Sequence, residues 1–217
     1  MDQEKRLAAE AAVELVQDGM RVGLGTGSTV AFLLPALAAR GLRLRCVSTS
    51  PHTTRIAREL GMTVESFGGA GALDELDIAI DGADQVDPSG WLVKGGGAAH
   101  TREKAVAAAA NRFVVIVSSD KLVERLRPPI PLELLEFGLE ATLKRLATVR
   151  LRDVPRSPDC GVIADYTGDF ASARGLADQL SATIGVVDHG LFSPTIVTDV
   201  LAARGTEVEH IDVGSVA

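Results

Sequence analysis

The chain has 217 residues, of which 46% are apolar, 24% charged and 4% aromatic, with 22 glycines and two cysteines. A chain of that length and make-up buries enough surface to close one core or two small ones, which excludes a disordered polymer. The formal charge of −7 excludes the clustered-cation face that nucleic acid demands, but not a small anionic ligand.

Residues 4–17 place Leu7, Ala8, Ala11, Ala12, Leu15 and Val16 at helical spacing, and Asp18-Gly19 ends that helix. A β-rich run at 20–24 leads through Gly25-Thr26-Gly27-Ser28-Thr29 into an apolar helix over 30–39. The alternation repeats with strand 42–47, helix 53–60, strand 62–65, a glycine turn at 68–71 and strand 77–80. A loop region to Gly97 follows, then helix 101–110 and strand 113–117. Strands alternating with helices require crossover connections, so the expectation is α/β: a Rossmann-like, mostly parallel sheet with helices on both faces. The unbroken apolar run Phe113-Val114-Val115-Ile116-Val117 suits a strand buried on both sides.

Pro128, Pro129 and Pro131 can continue neither a helix nor a central strand, and they mark a boundary. Beyond it, strand 132–135, helix 136–146, strands 148–151 and 161–165, helix 171–184 and strand 185–188 read as a smaller α+β unit. A helix over 195–204 and a strand at 207–211 close the chain. The expected division is a larger domain made of 1–129 and 205–217, and a small domain over 130–204.

Cys46 and Cys160 stand alone, without C-x-x-C spacing or a neighbouring His, which gives neither a disulfide framework nor a zinc site a starting point. No apolar run approaches the roughly 20 residues of a spanning helix, and Met1-Asp2-Gln3-Glu4 opens polar. A soluble cytoplasmic protein without membrane or nucleic-acid partners is expected.

Chemistry concentrates at the carboxyl ends of the predicted strands, where open parallel sheets bind ligands. Gly25 to Thr29 joins a strand to a helix, offering unpaired amides and two hydroxyls to an anion, though Ser28 could equally be a plain N-cap. It lacks the G-x-G-x-x-G spacing of dinucleotide sites and the G-K-[ST] of a P-loop. Asp81-Gly82-Ala83-Asp84 follows strand 77–80; turn residues, a metal pair and acid/base work on a sugar are all open readings. In Lys94-Gly95-Gly96-Gly97, three glycines in a row are costly to order, which favours close approach of backbone to ligand. Glu103 falls in the first helical turn, where the dipole favours the ionised form a general base needs. Lys121 lies past strand 113–117, either solvated or on a phosphate. His52, His100, His189 and His210 are scattered; of them only His100 adjoins this stretch, and it is expected to face solvent.

Together Thr26-Gly27-Ser28-Thr29, Asp81-Gly82-Ala83-Asp84, Lys94-Gly95-Gly96-Gly97-Ala98-Ala99 and Thr101-Arg102-Glu103-Lys104 resemble ribose-5-phosphate isomerases of the A type, in order and spacing. Pro129-Ile130-Pro131-Leu132-Glu133 and Gly190-Leu191-Phe192 extend the resemblance along most of the chain. The resemblance implies interconversion of ribose 5-phosphate and ribulose 5-phosphate without metal or other cofactor, by a homodimer or homotetramer. It implies Glu103 as proton-transferring base, with Asp81, Asp84 and Lys94 lining the sugar, and Thr26, Gly27, Ser28, Thr29 and Lys121 holding substrate. Gly82, Ala83 and Gly95 to Gly97 complete the expected binding set. On this reading Asp81 opens the furanose ring, Asp84 orients hydroxyls or Lys94, and Lys94 with the glycine amides meets the oxyanion of an enediolate; the two Asp roles are interchangeable. The chain departs from the family at Ala164-Asp165-Tyr166-Thr167-Gly168-Asp169, where a threonine-aspartate-asparagine-glycine-asparagine stretch is usual, and in the helix-like segment 195–204. A non-catalytic sugar-phosphate sensor and a related sugar-phosphate isomerase or deaminase are the alternatives.

Overall fold

In the computed structural model, which describes residues 1–214, the alternating elements run α1 (Asp2–Val13), β1 (Arg21–Leu24), α2 (Val30–Ala39), β2 (Arg45–Ser48), α3 (Pro51–Glu59) and β3 (Ile78–Asp81). The short strands β4 (Gln85–Val86) and β5 (Leu92–Val93) precede α4 (His100–Ala108) and β6 (Phe113–Ser118). Next come β7 (Ile130–Leu134), α5 (Leu139–Leu146), β8 (Val149–Leu151), β9 (Val162–Tyr166), α6 (Ala173–Ser181) and β10 (Val186–His189). The chain closes with β11 (Leu191–Phe192), β12 (Asp199–Arg204) and β13 (Glu207–Asp212).

Side chains along the central strands point alternately to opposite faces of the sheet, and both faces are apolar. Ile78, Ile80, Val114, Ile116, Leu201 and Ala203 share one core with α1 and α2. Ala79, Val115, Val117, Val200 and Ala202 share another with Val106 and Ala107 of α4. Helices therefore cover the sheet from both sides, in the order β13-β12-β6-β3-β1-β2, all parallel except the antiparallel edge strand β13. A second, antiparallel sheet, β10-β7-β9-β8, buries Leu132 and Leu134 against Leu146, Leu176 and Leu180 of α5 and α6. A third sheet, β11-β5-β4, occupies part of the stretch expected as loop.

The helix expected over 195–204 is a correction: Asp199–Arg204 is strand β12, parallel to β6 and antiparallel to β13. Its run Val200-Leu201-Ala202-Ala203 is buried on both faces, so it lacks the alternation that separates a strand from a buried helix. Arg204 pairs with Glu207 across Gly205-Thr206, with Gly205 at φ +61, so the segment is one arm of a two-residue hairpin. The strand expected at 62–65 shrinks to one bridge, Cys46 with Val64.

Candidate active site

The chain leaves β1 toward β2 on one side, and leaves β3 toward β6 on the other. The loops after these adjacent strands diverge, opening a crevice at their carboxyl ends. Asp81, the last residue of β3, lies 3% exposed under that crevice. Its Oδ1 accepts from the amides of Thr26 at 3.0 Å and Gly82 at 2.8 Å, tying the two loops together. A Cβ at Gly25 would lie 2.1 Å from the Asp81 carboxylate, so this position requires glycine.

The spacing between Asp84 and Lys94 follows from a hairpin. In it β4 pairs antiparallel with β5, Gln85 opposite Val93, and the Asp84 amide donates to Val93 O at 2.8 Å, which sets Asp84 and Lys94 side by side. Lys94, 2% exposed, runs its ammonium to 3.0 Å from Asp81 Oδ2 and 3.2 Å from Glu103 Oε2, and also donates to Gly82 O. Neither carboxylate oxygen receives a well-aligned hydrogen bond, so the ammonium meets them as a point charge and leaves acceptor capacity free.

Two carboxylates and one ammonium are thus packed out of water. The Lys94 ammonium is held charged, because the pull of Asp81 and Glu103 overcomes the burial that opposes it. Burial, followed by the charge of Asp81, pushes Glu103 up to about 8, and burial raises Asp81 as well. This corrects the expectation for Glu103, whose helix dipole was expected to keep it ionised: a first-turn interaction of at most ~2 kcal/mol does not offset removal of a carboxylate from water.

Above this cluster is a cleft of about 130 Å³. Lining it are Thr26, Gly27, Ser28 and Thr29 from the β1–α2 turn, Gly82, Ala83 and Asp84, Lys94 to Gly97, Glu103 and Lys121. Every predicted site residue is therefore at the cleft wall except Asp81, which lies beneath it, behind Lys94. Asp84 is exposed and its Oδ2 accepts from the Gly96 amide at 2.8 Å, so it pins the glycine loop; no ion pair joins it to Lys94 among the described residues. Lys121 joins the cleft wall half-buried, its ammonium 3.3 Å from Asp120. Thr29, not Ser28, is the N-cap of α2, and its side chain makes no capping bond. Among the described residues, the amides of Gly27, Ser28 and Thr29 have no protein acceptor, and they remain free to bind an anion. No group of three or more His, Cys, Asp or Glu is arranged to hold a metal among the described residues.

His100 is another correction: instead of facing solvent it is fully buried, its ring against the backbone of Gly95. Sequence reading also missed the support beneath the turn. Thr26 Oγ1 bonds Thr49 Oγ1 at 2.7 Å, and Thr53 Oγ1 donates to Gly25 O at 2.9 Å. The signal was Ser48-Thr49-Ser50 at the carboxyl end of β2, the strand beside β1.

The family model described as ribose 5-phosphate isomerase A (phosphoriboisomerase A) matches residues 45–207. A relative from Caulobacter sp. (strain K31), named ribose-5-phosphate isomerase A, is 46% identical over 206 residues, covering 88% of this chain and 90% of its own. The solved ribose 5-phosphate isomerase A of Methanocaldococcus jannaschii superposes with a TM-score of 0.88 at 31% identity, over 98% of this chain and 100% of that one. That of Neisseria gonorrhoeae superposes at 0.89 with 30% identity, over 97% and 96%.

Proposed function

The chain belongs to the ribose 5-phosphate isomerase A family, and from that membership we propose how its cleft carries out the reaction. The protein is an isomerase that interconverts ribose 5-phosphate and ribulose 5-phosphate. The conversion moves one proton from C2 to C1 and another from O2 to O1, through an enediolate whose negative charge must be stabilised. Glu103 is the base that takes the C2 proton and returns it to C1. Its position at the wall of the cleft and its pKa, raised to about 8 and so nearer neutrality than an ordinary carboxylate's, support that role. Lys94 and the Gly95 to Gly97 backbone meet the developing oxyanion in a site removed from bulk water.

Asp81 keeps the Lys94 ammonium charged and aimed; Asp84, facing the cleft, is the carboxylate placed for opening the furanose ring. Lys121 with the amides and hydroxyls of Gly27, Ser28 and Thr29 receives the phosphate. The larger unit, 1–129 with the C-terminal strands, is the catalytic domain, and pairing of β12 with β6 supports counting 199–204 in it rather than in the small unit. A cytoplasmic homo-oligomer without nucleic-acid or membrane partners completes the reading. The net charge of −7 supports the part about nucleic acid, and no helix among the described residues is long and apolar enough to cross a membrane.

The observation that carries the assignment is Lys94 buried between Asp81 and Glu103 at the floor of the cleft. The test is Glu103→Gln. We expect it to bind ribose 5-phosphate, to lose turnover by at least about 100-fold, and not to exchange the C2 hydrogen with deuterated solvent in NMR. Near-normal turnover would reject Glu103 as the base.

A further inference from the structure

Charged side chains outside the cleft mostly close onto one another, as Arg112 does with Asp199 and Arg21 with Asp77. Arg152 does not. It follows β8 in the small unit, and its amide donates to Ile163 O at 3.0 Å, prolonging the pairing with β9 and fixing its backbone. Nε and Nη2 make a two-pronged contact with Asp165, at 2.9 and 2.6 Å, and Asp165 is only 4% exposed. The remaining nitrogen, Nη1, crosses to the larger unit and donates to Gly95 O at 2.9 Å and Gly96 O at 3.2 Å. A guanidinium suits this task because its donors are fixed in one plane, so anchoring two of its nitrogens aims the third.

The carbonyls it holds belong to the glycine loop of the cleft, while Arg152 itself does not line the cleft. Each trans peptide is planar and sends its N–H away from its C=O. Fixing Gly95 O therefore fixes the Gly96 N–H, which donates to Asp84. Fixing Gly96 O likewise fixes the Gly97 N–H, which has no protein acceptor among the described residues. Consecutive glycines left to themselves sample many conformations, and Gly95 is held here at φ +102. A cation on the carbonyls also polarises these peptides, strengthening their N–H groups as donors.

We propose that Arg152, aimed by Asp165, is a positioning residue for the isomerisation, holding the Gly95 to Gly97 peptides with their amide edges toward the cleft. The inference rests on the reading that this backbone, through the free Gly97 amide, meets the developing oxyanion, while the Gly96 amide holds Asp84. Its consequence belongs to the chemical step more than to binding, because a misplaced donor costs transition-state contacts that the ground state does not use.

Arg152→Ala is expected to lower kcat by about ten- to a hundredfold while KM changes by less than about threefold. Millimolar guanidinium, supplied to Arg152→Ala but not to wild type, should restore part of that rate. Arg152→Lys keeps the charge but cannot span Asp165 and both carbonyls, so its kcat should also fall; if the alanine variant does not fold, the lysine variant decides. Asp165→Asn combined with Arg152→Lys should lose less than the product of the single losses, as members of one unit do. Wild-type kcat in Arg152→Lys, or a loss confined to KM, overturns the proposal. Glu103→Gln run alongside separates the two ideas: if it is inert while the Arg152 variants are normal, only the positioning role falls. If Glu103→Gln turns over normally, the reading of the site falls first.

Discussion

Glu103 shows how a residue's position in the fold outweighs its position in the sequence. Three residues into α4 it has the dipole of a helix start, yet it is 4% exposed with Asp81 nearby, and it is pushed up to about 8. In the ligand-free enzyme the base form therefore accumulates as pH rises, so kcat/KM should climb through an acid limb near pH 8 and then level. Because Asp81, Lys94 and Glu103 share one cluster, that limb reports the cluster as a whole. A limb near the ordinary glutamate value, about 4.3, would mean that the carboxylate is not desolvated as found. The motifs made these groups legible because they set charged residues among glycines in a fixed order. Thr49, Thr53 and Arg152 were not legible, since each acts from a distant part of the chain on a backbone atom or hydroxyl that only the folded strand order brings near.

At the scale of elements, the close packing of two strand ends defines the site. The β1–α2 turn and the end of β3 approach so closely that the Thr26 amide bonds Asp81, and Gly25 has no room for a side chain. Gly25→Ala should therefore displace Asp81 or the turn. The expected result is a fall in kcat/KM of about tenfold or more, with cooperative thermal unfolding retained because the two cores are untouched; wild-type kcat/KM would show that the turn yields without cost. The turn itself was readable from glycines between a strand and a helix. The β4–β5 hairpin was not, being only two residues a side, and β12 was misread because a strand buried on both faces has no polar alternation. In that segment the turn chemistry of Gly205-Thr206 was the better guide than the alanine-rich run before it.

At the scale of the whole molecule, the two units meet along a seam of buried polar groups. Lys104 of α4 pairs with Asp188 and donates to His189 O of β10, while His100 lies fully buried beside them. Around His100 stand the cations Lys104, Arg152 and Lys94, and burial together with these charges pulls it down to about 3. Burial, with the charge of Lys104, pulls His189 down to about 3 as well, its Nε2 lying 3.1 Å from Ser181 Oγ. Both rings are therefore neutral in the folded protein, whereas in the unfolded chain they take up protons below about pH 6.5. A folded pKa below the unfolded one means that the stability is fully present above about pH 6.5 and drains away as pH falls toward the folded value. Each ring contributes about 1.4 kcal/mol per pH unit to that loss. His100 is the simpler of the two to test, because neither of its ring nitrogens makes a well-aligned hydrogen bond and its one polar neighbour on the backbone is at Asp188. His100→Leu should accordingly flatten the decline in urea-unfolding free energy between pH 7 and pH 5 by about 2 kcal/mol relative to wild type. Any difference at pH 7, where the ring is mostly neutral in both folded and unfolded chains, is a pH-independent offset that leaves this change of slope intact. Parallel pH profiles for the two proteins would show that His100 is protonated in the folded state, and that the seam tolerates a charge the surrounding lysines and arginine oppose.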